Sequence, residues 1–144
     1  MPQIEESDKQ AIKNLFAHKM EGTAHIRFFT SKANCQYCED TLDILNQLAQ
    51  LSDKIDLQVF DKDANADEAR QFGVNMYPAI VFVNDNGHDT GVHFYGIPSG
   101  YEFSTLIEDI VDVANNHTDL SPETIDVLKQ INTDVTLSVF ITPT

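Results

Sequence analysis

Apolar residues recur along this chain with two kinds of spacing. Steps of three and four mark helices, and alternation or short unbroken runs mark strands. Ile12, Leu15, Phe16 and Met20 share one face of a predicted helix over residues 9–20, with Ser7 and Asp8 as its capping pair and Glu21-Gly22 as its stop. The run His25-Ile26-Arg27-Phe28-Phe29-Thr30 reads as a strand. A loop at 31–34 leads into residues 35–51, which contain a helix with Leu42, Leu45, Leu48 and Ala49 on one side; Ser52-Asp53 breaks it. Ile55, Leu57 and Val59 alternate with polar residues and predict a strand over 54–61. A polar loop follows from Asp61, then a short helix over 66–72 ended by Gly73, which suits a left-handed C-terminal position. Ala79-Ile80-Val81-Phe82-Val83 is a buried strand, Asn84-Asp85-Asn86-Gly87 a hairpin turn, and 91–95 the returning strand. Gly96-Ile97-Pro98-Ser99-Gly100 separates that strand from a helix over 101–115, apolar at Phe103, Leu106, Ile107, Ile110 and Val111.

The order β-α-β-α-β-β-α, after an added N-terminal helix, predicts an α/β unit with a mixed central sheet flanked by helices. This unit takes residues 1–117. Residues 118–144 are not needed to complete it. There Ser121-Pro122-Glu123 opens another helix, running to about residue 131, and Val135, Leu137, Val139 and Ile141 predict a final strand over 135–141. A capped helix, a polar gap and an apolar strand ending in Thr thus occur at 7–30 and again at 121–142. The echo has two readings, the start of a second, truncated unit or a C-terminal helix–strand decoration. An apolar strand of this kind is expected to be ordered and to pair with a sheet edge. Pairing within the chain keeps a monomer, and exchange between copies makes a homodimer through the C-terminal strand.

Charge narrows the partners. Twenty-three acidic residues against nine basic ones leave a net charge of −14, which argues against nucleic acid or an anionic membrane as the main partner. The acidic start, Met1-Pro2-Gln3-Ile4-Glu5-Glu6, lacks the apolar segment of a secretion signal, and no apolar run approaches a membrane span. The expected setting is cytoplasmic. Asn116-His117-Thr118 matches a glycosylation sequon, which in that setting is read as chance.

The chemistry concentrates at Cys35-Gln36-Tyr37-Cys38. These are the chain's only cysteines, and they lie between a predicted strand and a predicted helix. Strand, loop and helix with Cys-x-x-Cys at the turn is the redox arrangement of a thioredoxin-like fold. Unpaired backbone N–H groups and the helix dipole favour a thiolate near the helix start. Cys35, nearer the loop, is the expected attacking sulfur, and Cys38, one turn further in, the resolving thiol. Half a zinc site is the competing role of such a pair. Zinc wants four ligands, and the histidines at 18, 25, 88, 93 and 117 show no ligand spacing, so no metal and no separate cofactor is expected. Tyr37 either presents its ring to substrate or packs beside the loop. Asp61 is a proton acceptor for the resolving thiol if buried; the solvated reading is preferred because Asp is rarely buried. Lys32 either favours a thiolate or is simply solvated.

These residues, with Tyr77-Pro78 before a strand, Gly91-Val92-His93-Phe94-Tyr95-Gly96-Ile97-Pro98-Ser99-Gly100 and Leu106-Ile107-Glu108-Asp109-Ile110-Val111-Asp112-Val113, carry a family likeness. The chain resembles the protein disulfide oxidoreductases of archaea and some bacteria, glutaredoxin-like proteins of two tandem thioredoxin-like units. Val139-Phe140-Ile141-Thr142-Pro143-Thr144 looks like the lead-in to that family's second Cys-x-x-Cys, which this chain does not contain. The resemblance implies disulfide exchange with protein substrates. It also implies a cis bond before Pro78, with Pro78 facing the dithiol, where position alone would suggest an ordinary trans proline. Tyr37, Tyr77 and Pro78 become the expected substrate contacts. Protein disulfides and dithiols are the expected partners, together with a flavoprotein of the thioredoxin-reductase kind. Two other roles use the same residues: an electron-relay domain for a peroxidase or flavoprotein reductase, and a non-catalytic binding or assembly module.

Overall fold

The computed structural model describes residues 3–142. Helix α1 (Glu6–Lys19) starts three residues before its predicted start, so Ser7 and Asp8 lie in the first turn instead of capping it. Glu6 and Asp8 face the positive end of the helix dipole, and His18 and Lys19 the negative end. Then follow β1 (Ala24–Thr30), α2 (Cys38–Ala49), β2 (Ile55–Asp61), α3 (Ala66–Gln71), β3 (Ala79–Val83), β4 (Asp89–Tyr95), α4 (Tyr101–Asn115) and α5 (Pro122–Leu128). Gly73 closes α3 with a φ of 67°, the left-handed conformation expected there.

The four strands form one mixed sheet in the order β2-β1-β3-β4. β1 runs parallel to β2, from Ala24 opposite Ile55 to Thr30 opposite Asp61, and antiparallel to β3. Strand alternation sends Ile26 and Phe28 to one face and Phe29 to the other. The first face carries the larger core, with Ile12 and Phe16 of α1, Ile44, Leu45 and Leu48 of α2, and Leu106 and Ile110 of α4. The second carries a smaller core, where Phe29 meets Ala69 of α3, Val74, Ala79, Val81 and Val83. Phe29 also stacks on Phe60 with ring centroids 5.2 Å apart.

A polar network holds the start of the sheet. His25 bonds Asp56 of β2 through Nδ1 at 2.8 Å and Asp85 of the β3–β4 turn through Nε2 at 2.9 Å. Arg27 donates to the same Asp56 at 3.2 Å. A second network ties α1 to α4. The side-chain amide of Asn115 accepts from Glu21 N–H at 2.7 Å and donates to the Lys19 carbonyl at 2.7 Å. The chain passes so close there that a Cβ on Gly22 would lie 2.2 Å from the Ala114 carbonyl oxygen, which only glycine avoids.

The last segment departs from expectation. Ser121 does cap α5, its Oγ accepting from Thr124 N–H at 3.2 Å. The predicted strand over 135–141 is not formed, and that run pairs with neither sheet edge. Leu137, Val139 and Phe140 are 90%, 85% and 92% exposed. A strand exists through its neighbours, and neither β2 nor β4 takes this run as a further strand.

Candidate redox site

Because β1 has a neighbour on each side, the loop after it leaves from mid-sheet. Its two cysteines are joined by a disulfide, with Cα atoms 5.5 Å apart. The helix α2 begins at Cys38, so Cys35 stands in the turn ahead of it, before the N-cap residue Tyr37. Cys38 is 1% exposed, whereas Cys35 is partly open to solvent. The Tyr37 carbonyl accepts both the N–H and the hydroxyl of Thr41, at 3.0 and 2.6 Å, which sets the first turn. Tyr37 itself is 42% exposed. Asn34 supplies the left-handed turn into Cys35, with a φ of 54° that Asn tolerates.

Ser31 at the other end of the loop is buried and donates its backbone N–H to Cys38 Sγ at 3.4 Å. Nothing in the sequence marked it, since a loop serine is commonplace and the contact runs through its main chain.

The Tyr77–Pro78 bond is cis, as the resemblance implied. Phe29 pairs with Ala79, so Pro78 lies level with Thr30, from which the cysteine loop departs. Pro78 is buried, and its carbonyl accepts Gly96 N–H at 3.0 Å. Tyr77 packs against the smaller core. Lys62 Nζ sits 5.7 Å from the centre of its ring, and Lys62 N–H bonds the Thr30 carbonyl at 2.8 Å. Burial raises the Tyr77 phenol above its ordinary range, with help from the Asp63 and Asp61 charges.

Asp61 ends β2 beside this loop. Its Oδ1 accepts the N–H groups of Asp63 and Ala64 at 3.0 and 3.1 Å. Those bonds, Ala64's foremost, hold the carboxyl below its usual range, and the Lys32 charge adds to them. Its Oδ2 is buried and has no hydrogen-bond partner among the described residues. Asp61 is therefore a half-buried turn former, neither fully solvated nor enclosed. Lys32 is exposed. No group of three or more His, Cys, Asp or Glu side chains suited to a metal occurs among the described residues. A groove of about 910 Å³ between α1 and α4 takes no lining residue from the cysteine loop. No helix of the described residues is long and apolar enough to cross a membrane.

No family model matches the chain. An NADH dehydrogenase of Ferdinandcohnia aciditolerans is 29% identical over 118 residues, 82% of this chain. The alkyl hydroperoxide reductase component AhpF of Staphylococcus aureus is 26% identical over 136 residues, 94% of this chain. The chain spans only 20% and 24% of the length of these two relatives. Among solved structures, a protein disulfide oxidoreductase from Aeropyrum pernix superposes with a TM-score of 0.80 at 24% identity, over 90% of this chain and 56% of that one. A variant of AhpF from Enterococcus faecalis superposes with a TM-score of 0.74 at 26% identity, over 85% of this chain and 58% of that one. The fold is thioredoxin-like, and the similarities fit the tandem thioredoxin-fold group read from the sequence. In this chain the fold carries the bonded pair Cys35–Cys38 at the turn between β1 and α2.

Proposed function

We propose that the chain exchanges disulfides with protein substrates, Cys35 attacking and Cys38 resolving. The observation that carries this assignment is the unequal burial of the pair, with Cys38 shut in at the first turn of α2 and Cys35 open beside it. In the reducing direction, the Cys35 thiolate attacks a substrate disulfide. One substrate sulfur leaves as a thiolate and takes up a proton, while the other forms a mixed disulfide with Cys35. Cys38 then loses its proton and attacks Cys35 Sγ. The second substrate thiolate leaves, and two electrons have moved from the dithiol to the substrate. The reverse sequence oxidises a substrate dithiol.

Tyr37, Tyr77 and Pro78 are proposed to line the substrate's path. Their positions around the departing loop support this, since Tyr37 is the N-cap residue between the two cysteines in sequence and Pro78 is level with Thr30. The proposed setting is the cytoplasm, where a lone cysteine pair fits catalysis better than structural bracing. Insulin reduction by dithiothreitol tests the activity. The chain should accelerate it, Cys35→Ser should abolish the acceleration, and Cys38→Ser should leave a protein that accumulates mixed disulfides. Trapping by Cys35→Ser instead would reverse the two roles.

A second reading is favoured by the similarity to the AhpF component of alkyl hydroperoxide reductase across 94% of the chain. In it, the dithiol relays electrons from a flavoprotein reductase to a redox protein. Coupling the chain to such a reductase, with NADH oxidation as the readout, separates a dedicated relay from a general exchanger.

Residues 118–144 are proposed to open a second thioredoxin-like unit, as the repeated helix–gap–strand pattern supports. In this chain alone, the exposed apolar run at 135–141 supports self-association through that segment. Light scattering on the chain and on a form ending at Asn132 tests it. Equal, monomeric masses for both would refute it.

A further inference from the structure

We propose that Ser31 is a positioning residue for the resolving step, holding its backbone N–H on the Cys38 sulfur through a ring closed by its own hydroxyl. The inference rests on the assignment of Cys38 as resolving thiol. Three contacts define it. Ser31 N–H points at Cys38 Sγ at 3.4 Å. Ser31 Oγ donates to the Ala33 carbonyl at 2.9 Å. Ala33 N–H donates back to Ser31 Oγ at 3.3 Å. The hydroxyl thus bonds both polar groups of one residue two positions on, and fixes the loop that carries the Ser31 amide.

The chemistry explains why this matters for one sulfur only. Cys38 is 1% exposed, so water does little to stabilise a charge there. Yet it must become a thiolate to attack Cys35 Sγ and displace the substrate sulfur. A fixed N–H donor strengthens as that charge develops. The start of α2 helps too, through amides the helix does not use. Cys35 is partly open to water, and the Ser31 contact is made to Cys38, so the first attack does not depend on it.

The test separates the two steps with 5,5′-dithiobis(2-nitrobenzoate) and fully reduced protein. Attack releases one coloured thiolate and resolution releases the second, so stopped-flow absorbance reads both. In Ser31→Ala the second release should slow roughly tenfold, as expected for loss of a hydrogen bond to a charged group. The pH at which it reaches half its limiting rate should rise, while the first release stays unchanged. Ser31→Thr keeps the hydroxyl and should restore the second release. A purely structural role would lower the melting temperature without moving that pH midpoint. Equal slowing of both releases, an unchanged second release, or failure of Ser31→Thr to rescue would overturn the proposal.

A second measurement covers the case in which Ser31→Ala does not fold. In Cys35→Ser, the backbone amide resonance of Ser31 should titrate with Cys38; an amide that stays flat across the titration overturns the proposal. Mass mapping of the first adduct keeps the two inferences apart. An adduct on Cys38 would overturn the assignment of the cysteines, whereas an adduct on Cys35 with insensitive kinetics would overturn only the role of Ser31.

Discussion

The same local pattern occurs twice in this chain and meets two fates. Residues 7–30 and 121–142 each carry a helix, a polar gap and an apolar run ending in Thr. The first run becomes β1, with β2 and β3 on its flanks and Phe28 fully buried. The second yields α5 and then a run at 135–141 that joins neither sheet edge, in which Phe140 is 92% exposed. The helices survive in both places because a helix makes its backbone hydrogen bonds within itself, α1 without a side-chain cap and α5 with Ser121. The strands differ because a strand's bonds and its buried face both come from elsewhere. An apolar alternation therefore states a requirement for neighbours and does not supply them.

Three sets of substitutions sharpen or break this contrast. The largest effect is expected from matched phenylalanines. Phe28→Ala should cost about 3–5 kcal/mol of unfolding free energy, the usual range for emptying a filled core site. Phe140→Ala should leave the urea midpoint unchanged and weaken self-association instead. Equal destabilisation by both would show that the tail packs on the folded unit.

Next is the close approach between the α1–β1 turn and α4. Gly22→Ala places a methyl against the Ala114 carbonyl oxygen and should cost about 1–3 kcal/mol by overpacking. The tail holds no comparable crossing, since the residues of α5 are exposed or partly so. Unchanged urea unfolding of this variant would mean that the turn yields freely and that Asn115 does not clamp it.

The smallest effect concerns charge. Asp109 on α4 is half-buried, and burial first, then the charges of Asp112, Glu108 and Glu102, raise its pKa to about 6. Its native value lies above its unfolded value, so the native state favours the protonated form. Stability from this group is therefore full below its ordinary value of 3.8 and is lost as pH rises through about 6. Asp109→Asn should stabilise the protein at pH 7 by on the order of 1 kcal/mol, after allowance for solvent screening, and by nothing near pH 3. Asp126→Asn on exposed α5 should do neither. Urea midpoints at the two pH values give the answer, and a gain for Asp109→Asn that persists at pH 3 would exclude the charge as its cause.

Most elements and the place of the cysteine pair were legible in the residues alone. β3 and α4 fell at their predicted residues, Ala79–Val83 and Tyr101–Asn115, because their apolar spacing is local and unbroken. The cysteines were legible because their chemistry depends on a separation of three residues at a strand–helix turn. The cis bond at Pro78 was legible only through the family likeness. Other features needed the folded chain. Phe28 and Phe29 read as one apolar run, and only the sheet sends them into different cores. The start of α2 at Cys38, the Ser31 amide on its sulfur and the grip of Asn115 on the end of α1 join residues through main-chain atoms, which have no letter in the sequence. The run at 135–141 shows the same division from the other side. Its residues suit a strand, but a strand is a relation between segments, and among the described residues no strand takes this run as its neighbour.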